Sequence, residues 1–252
     1  MTNYPTNLSN SQWQFMSKFL DKDRSRKYSL REILNAVMYL VKTGCQWRML
    51  PSDFPRWEIV YYYFSAWRKS GLWKEFHDAM VKQIRKKAGR KEQPSAGIID
   101  SQSVKSTLVG SEDKGFDAGK RIKGIKRHIV VDVLGLILMV VVQSASTQDR
   151  DGAKMVLKKL TFQYRKIRKI FADSGYSGKL LGWAKSYLRV SVEIVRKITP
   201  GCFEVLPKRW IVERTFAWLE TNRRNAKNYE RLNQTSVTMV YVSAIRIMLK
   251  RF

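Results

Sequence analysis

The stretch Gly97-Ile98-Ile99-Asp100-Ser101 constrains this chain more than any other. A short run of β-formers ends in a carboxylate and is followed at once by small polar residues, the pattern of a buried strand that delivers an acid to an edge. It reads as the first, central strand of an α/β domain, because apolar spacing is helical before it and strand-like after it. An Asp that closes a strand is commonly a turn residue satisfying its own backbone. Asp100 gains a second reading from two later acids, Asp173 and Glu213, whose settings allow them to converge on it.

Helical spacing covers the segment upstream. Trp13, Met16, Phe19 and Leu20 form one stripe. Ser29 and Glu32 make a capping box for a helix whose apolar face is Leu30, Ile33, Leu34, Val37, Leu40 and Val41, ended by Gly44. After the turn Pro51-Ser52-Asp53-Phe54-Pro55, the residues Trp57, Val60, Tyr61, Phe64 and Trp67 recur at helical intervals as far as Gly71, and a further helix runs from Leu72 to about Lys87. A helix, a short Pro-containing connection and an aromatic helix ending in Arg68-Lys69 suit a helix-turn-helix-like module, and equally a small bundle whose aromatics are core. The basic stretch Lys86 to Pro94 marks a boundary. The expected division is a helical, DNA-binding domain over residues 1–90 and a second domain over residues 91–252.

Downstream, the Asp100 strand is followed by a Gly- and Lys-rich loop, Val109 to Lys126, then by His128 to Asp132, a turn at Gly135 and Leu136 to Val142. These runs predict an antiparallel meander. A helix over Asp151 to Leu160, a strand over Ile167 to Phe171, a helix from about Ser177 to Tyr187 and a strand over Val190 to Val195 come next. Two helices, Arg209 to Arg223 and Thr235 to Arg251, close the chain. The order is that of a ribonuclease H-like α/β domain: a mixed sheet with flanking helices, here preceded by a small all-α region.

Composition narrows the partner. Over 252 residues, 48 Lys and Arg stand against 21 Asp and Glu, a formal charge of +27, while 44% hydrophobic residues are enough for a core. A surplus of that size points to a polyanion, because each cation set on a phosphate releases condensed counterions. Nucleic acid is the expected partner, and a generally basic, solvated surface the plainer alternative. No apolar run reaches the ~18 residues needed to span a bilayer and no signal pattern opens the chain, so no membrane role and a cytoplasmic location are expected. Cys45 and Cys202 lie far apart without metal-binding spacing.

Two strand-terminal aspartates and a helical glutamate suit a pair of Mg²⁺ ions, which prefer oxygen ligands and leave positions open for water and phosphate. Singly, each acid has a plainer role: Asp173 as a helix N-cap, Glu213 as the i, i+4 partner of Arg209. Asp132, Asp149 and Asp151 are reserve acids.

The residues Arg209-Trp210-Ile211-Val212-Glu213-Arg214-Thr215-Phe216-Ala217-Trp218-Leu219, with Arg223-Arg224 and Tyr229-Glu230 after them, closely resemble the third-acid signature of bacterial insertion-sequence transposases of the DDE type, in the fourth and fifth families of such elements. Phe171-Ala172-Asp173-Ser174-Gly175-Tyr176 is similar to the second-acid motif, and Ile98-Ile99-Asp100-Ser101-Gln102-Ser103-Val104-Lys105 to the first. Gly124 to Asp132, Gln148 to Ala153 and Gly44 to Pro51 extend the resemblance along almost the whole chain. It implies that Asp100, Asp173 and Glu213 are a catalytic triad binding divalent metal, two Mg²⁺ ions with Mn²⁺ as a substitute. It also implies hydrolysis of a phosphodiester at the element end and transfer of the freed 3′-hydroxyl into target DNA by a homodimer. Of the signature Y-x2-R-x3-E-x6-K, Arg209 and Glu213 match, whereas Leu206 and Glu220 stand at the Tyr and Lys positions. Arg223 or Arg224 then becomes the candidate for the phosphate contact.

Lys120, Arg121, Lys123, Lys126 and Arg127 lie among glycines in a loop that either holds the DNA backbone or is simply solvated. His128 either touches the scissile phosphate or is structural. Two rival functions share these residues: a catalytically silent DNA-binding protein derived from a transposase, and a simple metal-dependent nuclease.

Overall fold

A computed structural model of the chain describes residues 4–21, 24–195 and 208–251. Cys202 and Leu206 lie outside the described residues. The chain forms two compact units. One comprises Met1–Met80, Leu219–Ala226 and Thr238–Phe252, the other Val81–Trp218 and Lys227–Val237. The N-terminal helices therefore group with two segments near the C-terminus, which a division at residue 90 leaves in the other domain.

In the helical unit, α1 (Asn10–Met16) ends in a 3₁₀ turn at Ser17–Phe19, shorter than the Trp13–Leu20 stripe predicts. Helix α2 (Leu30–Thr43) forms as expected: Ser29 Oγ accepts from Glu32 N, Glu32 reaches back to the Ser29 amide, and Gly44 closes it at φ +73. At Gly44 a Cβ would also lie 3.0 Å from Arg223 Cβ, so glycine answers both the left-handed backbone and the close approach. Ile33, Leu34, Val37, Leu40 and Val41 are wholly buried, each contributing about 1.5–3 kcal/mol of transfer free energy. Helix α3 (Trp57–Ser70) packs Phe64 and Trp67 against Trp73 of α4 (Leu72–Lys87), whose indole donates to Phe64 O at 3.1 Å. The aromatics that face inward are core, while Tyr61 and Tyr62 remain on the surface of α3.

The second unit is built on a mixed sheet. Strand β1 (Ala96–Lys105) pairs antiparallel with β3 (Ile122–Val131), which pairs antiparallel with β4 (Ile137–Ser144). On its other side β1 pairs parallel with β5 (Lys169–Ala172), and β5 with β6 (Ser191–Ile194). Helix α5 (Asp149–Gln163) connects β4 to β5, and α6 (Lys179–Trp183), extended by a π-helical turn, connects β5 to β6. Three antiparallel strands followed by parallel strands joined through helices, with β1 central, make the sheet ribonuclease H-like.

One part of the sheet departs from the sequence reading. The segment read as a basic loop forms β2 (Gly115–Asp117) and the first half of β3. Cations and glycines hide the strand because both faces of β3 are covered and its buried positions include Lys126 and Arg127, only 5% and 2% exposed. Helix α7 (Arg209–Glu220) and helix α8 (Asn233–Leu249) follow, two or three residues shorter at their C-terminal ends than expected. Among the described residues no helix is long and apolar enough to cross a membrane.

Candidate active site

Asp100 does not end its strand. β1 continues to Lys105 against β3, with Asp100 opposite Ile129, but its parallel pairing with β5 stops at Ile98 and Phe171. Two positions further along each strand stand Asp100 and Asp173. Asp173 retains an extended backbone (φ −80, ψ 178), so side-chain alternation places both carboxylates on one face, where the two strands part. A nearby backbone amide then fixes each acid: Asp100 Oδ1 accepts from Ser101 N at 2.7 Å within the strand, and Asp173 Oδ1 accepts from Gly175 N at 2.9 Å in the turn after β5. For Asp173 the capping role and the converging role coexist on one side chain.

Burial pushes the Asp100 carboxyl up to about 6, with Asp173 adding to the rise, while the Ser101 amide, Arg209 and Lys120 oppose it. Arg209, on the first turn of α7, joins the acids. Its guanidinium lies 3.6 Å from Asp173 Oδ2 and its Nε 3.0 Å from Glu213 Oε1, the i, i+4 pair that spacing predicts. Glu213 is about half exposed (54% for its side chain) and reaches the aspartates through Arg209. Among the described residues no three His, Cys, Asp or Glu side chains come close enough to share one metal ion. The expected triad is therefore a converged aspartate pair with Glu213 tethered beside it. The guanidinium bridges Asp173 and Glu213 and offsets their charge. The shallow cleft at this point is lined by Asp100, Asp173, Arg209 and Val195 among others.

The basic residues split by location. Lys120, Arg121 and Lys123 are exposed at or beside the β2–β3 turn, where Arg121 takes a left-handed conformation (φ 53). Lys120 Nζ donates back to Ser101 O at 3.4 Å. Lys126, Arg127 and His128 are buried in β3, and their burial removes them from a phosphate-gripping loop. Lys126 pairs with Asp117 at 3.3 Å and Asp149 at 3.2 Å, and donates to Thr147 O. Arg223 is exposed, but Arg224 is 7% exposed and donates to Cys45 O at 3.2 Å; both belong to the helical unit. Glu220 is exposed at the end of α7.

His128 does not face solvent either. It sits opposite Ser101 on β1 with no exposure and packs under α5, where a Cβ on Gly152 would lie 2.1 Å from the ring. Among the described residues neither ring nitrogen has a hydrogen-bond partner. Desolvation lowers its pKa to about 4, with Asp149 opposing and Lys126 and Lys120 assisting. The unfolded chain, with its histidine near about 6.5, takes up a proton that the folded state refuses, so stability falls as pH drops from 6.5 to 4. Against His128→Leu, thermal denaturation across that window should show the wild type losing roughly 3 kcal/mol more than the variant. Parallel curves for the two proteins would show that the ring does not control the slope.

Behind the aspartates lies a network that sequence reasoning did not assign. Ser101 Oγ donates to Asp149 Oδ1 at 2.7 Å, Ser103 Oγ to Asp117 Oδ2 at 2.5 Å, and Lys126 links the two acids. The buried Tyr176 hydroxyl faces Ser101, and burial with the nearby acids raises its pKa well above normal. One signal was available: Gly152 inside a helical pattern marks a close approach, and the approach is to His128 beside this network. Asp132, a reserve acid, is wholly buried and serves the β3–β4 turn: its Oδ1 accepts from Leu134 N and Leu136 N, both at 2.9 Å, and its Oδ2 pairs with Arg85.

The model of a transposase DDE domain matches residues 91–248. The chain belongs to the DDE transposase family. A second model, described as a transposase of the IS4/5 family, matches residues 8–77, so the helical segment and the sheet are both recognised parts of this transposase. No curated protein matches the sequence. Similar solved structures include the Mos1 mariner paired-end complex with Mn, at 10% identity over 96% of this chain and 84% of that one, with a TM-score of 0.33. The Mos1 paired-end complex with the left transposon end is 10% identical over 92% and 80%, at 0.31, and the Mos1 strand transfer complex 12% identical over 92% and 79%, at 0.30. DDE transposases as a class work with divalent metal.

Proposed function

We propose that this transposase hydrolyses a phosphodiester at the end of its element and transfers the freed 3′-hydroxyl into target DNA, with Asp100, Asp173 and Glu213 as its catalytic acids. The observation that carries the reading is the in-register aspartate pair, one carboxyl raised to about 6, at the point where β1 and β5 part. A carboxylate whose ionisation is resisted by burial and by a like-charged neighbour is poised for a cation. Oxygen-only donors at this edge fit a hard divalent ion, Mg²⁺ or Mn²⁺, held first by Asp100 and Asp173 and secondarily by Glu213. Held by these residues, a pair of such ions would supply activation of the attacking oxygen and charge stabilisation of the leaving one.

The chain's own residues do the rest. Arg209 holds Glu213 and Asp173 toward one point and carries positive charge to the phosphate. Lys120, anchored on Ser101 O, sets a second cation beside Asp100, and Arg121 and Lys123 extend it along a DNA backbone. Ser101, clamped to Asp149, fixes the backbone just beyond the acid. Double-stranded DNA, both terminal repeats and target, is the partner, and two copies joined on paired ends form the working homodimer. The helical unit, with Tyr62 and Lys69 on the exposed surface of α3, contributes to the grip on the duplex.

The test is cleavage of a labelled duplex carrying the element's terminal repeat in Mg²⁺, with the wild type beside Asp173→Ala. Nicking at the repeat end that vanishes in the variant is the expected result. Tight binding without cleavage by the wild type would instead favour a silent DNA-binding protein, and cleavage without joined product a simple nuclease.

A further inference from the structure

The α4–β1 connection and the turn before β5 together form a cleft of about 640 Å³ at the end of the sheet remote from Asp100. Five cations line it, Arg85, Arg90, Lys91, Lys166 and Arg168, and no lining residue is acidic. The nearby Glu92 is taken by Lys86 at 2.5 Å, and Asp132 by the inward end of Arg85. Among the described residues Arg90, Lys91 and Lys166 are exposed and have no salt-bridge partner.

The cleft is held in shape by backbone contacts. Arg85 Nε donates to Lys91 O at 2.8 Å, pinning the segment after α4. Ser95 O accepts from Arg168 N at 2.8 Å and from Lys169 N at 3.2 Å, which joins that segment to the second basic turn. Two short basic segments are thereby locked side by side instead of repelling each other into solvent. A concave site lined by one sign of charge focuses its field, so an anion entering it gains more than at the scattered cations of a generally basic surface.

From this arrangement we infer that the cleft is a second DNA-binding site, a clamp on the phosphodiester backbone of a duplex, separate from the catalytic edge. The cleft opens at Ala96, four residues before Asp100, or about 13 Å along the strand. Roughly four nucleotides of one DNA strand span that distance, so a single duplex can engage the clamp and the acids together. The contacts are to phosphates, and the clamp strengthens binding without choosing sequence. The inference rests on the DNA-transposing reading of the catalytic edge.

The experiment measures binding of the full chain to a labelled duplex without terminal repeats, across a salt series. It compares wild type with Arg90→Gln/Lys91→Gln/Lys166→Gln and with a control, Lys159→Gln/Lys179→Gln/Lys185→Gln, whose sites are also exposed but outside the cleft. The slope of log affinity against log salt should become shallower by about 2.7 in the cleft variant, at about 0.9 per phosphate contact, and by much less in the control. At saturating protein the cleft variant should still nick the terminal-repeat duplex in Mg²⁺, which separates loss of the clamp from loss of the fold. An unchanged slope in the cleft variant, or an equal fall in the control, would overturn the clamp while the catalytic reading stands. A wild type that binds no duplex at low salt would overturn both.

Discussion

Asp100→Asn should abolish metal-dependent strand cleavage and, in metal-free buffer at neutral pH, make the protein more stable. The first effect follows from removing a ligand charge at the aspartate pair. Metal-borne stabilisation of a phosphoryl-transfer transition state amounts to several kcal/mol, so a loss on the order of 10³-fold in single-turnover cleavage is expected. The second follows from the raised carboxyl. Its pKa stands at about 6 in the folded protein, against about 3.9 in an unfolded chain. Between those values the folded state holds a proton that the unfolded chain has released, so stability falls as pH rises through that window and stays lower above it. Asn carries no such penalty. Allowing for partial solvent screening, the variant should gain roughly 1–3 kcal/mol at pH 7.5 in EDTA. Mg²⁺ should then raise the melting temperature of the wild type but not of the variant. A variant that is less stable in EDTA, or equally stabilised by Mg²⁺, would overturn the proposed ligand role of Asp100.

The largest structural effect is expected at Arg85. Asp132 has no exposure, Arg85 is 5% exposed, and the two pair inside the sheet unit. Burial raises the Asp132 carboxyl despite the Leu136 and Leu134 amides and the guanidinium that hold it charged. Arg85→Leu leaves that carboxylate enclosed with its amide bonds but without its counter-ion, which costs about 3–5 kcal/mol. The melting temperature should fall by on the order of 10 °C. Adding Asp132→Asn should recover a large part of the loss, because Asn still accepts from the turn amides and has no charge to compensate. A double variant as unstable as Arg85→Leu alone would place the effect in lost packing of the Arg85 stem instead.

Most elements were legible because their signals are local. The capping box at Ser29 and Glu32, the left-handed stop at Gly44 and the helical stripe over α2 are set by residues within four positions of one another, and they form as read. The β3–β4 turn at Gly135 (φ 79) and the strands after it follow for the same reason. What failed did so where tertiary surroundings reverse a local preference. Lys126 and Arg127 read as loop residues because isolated cations avoid the interior; Lys126 lies inside because Asp117 and Asp149, remote in sequence, neutralise it. His128, with a polar ring, is buried because Gly152 lets α5 settle onto it.

The candidate site divides in the same way. Sequence by itself determined which acids matter to the reading, that Asp100 sits on a strand, and that Arg209 and Glu213 share a helix face, since motif spacing and residue chemistry suffice for each. The order of elements follows from the alternation of helical and strand-like spacing, while the family follows from resemblance in the three acid-bearing motifs. Only the tertiary structure decided that Asp100 lies within a longer strand and that the acid is presented where β5 ceases to pair with it, because register is a property of two strands. It alone placed Asp173 in the matching position, set the Arg209 guanidinium between Asp173 and Glu213, and left the cations of residues 90–91 and 166–168 in one cleft. Charge and hydrogen-bonding capacity are written in the residues, but which groups meet depends on the packing of segments far apart in the chain.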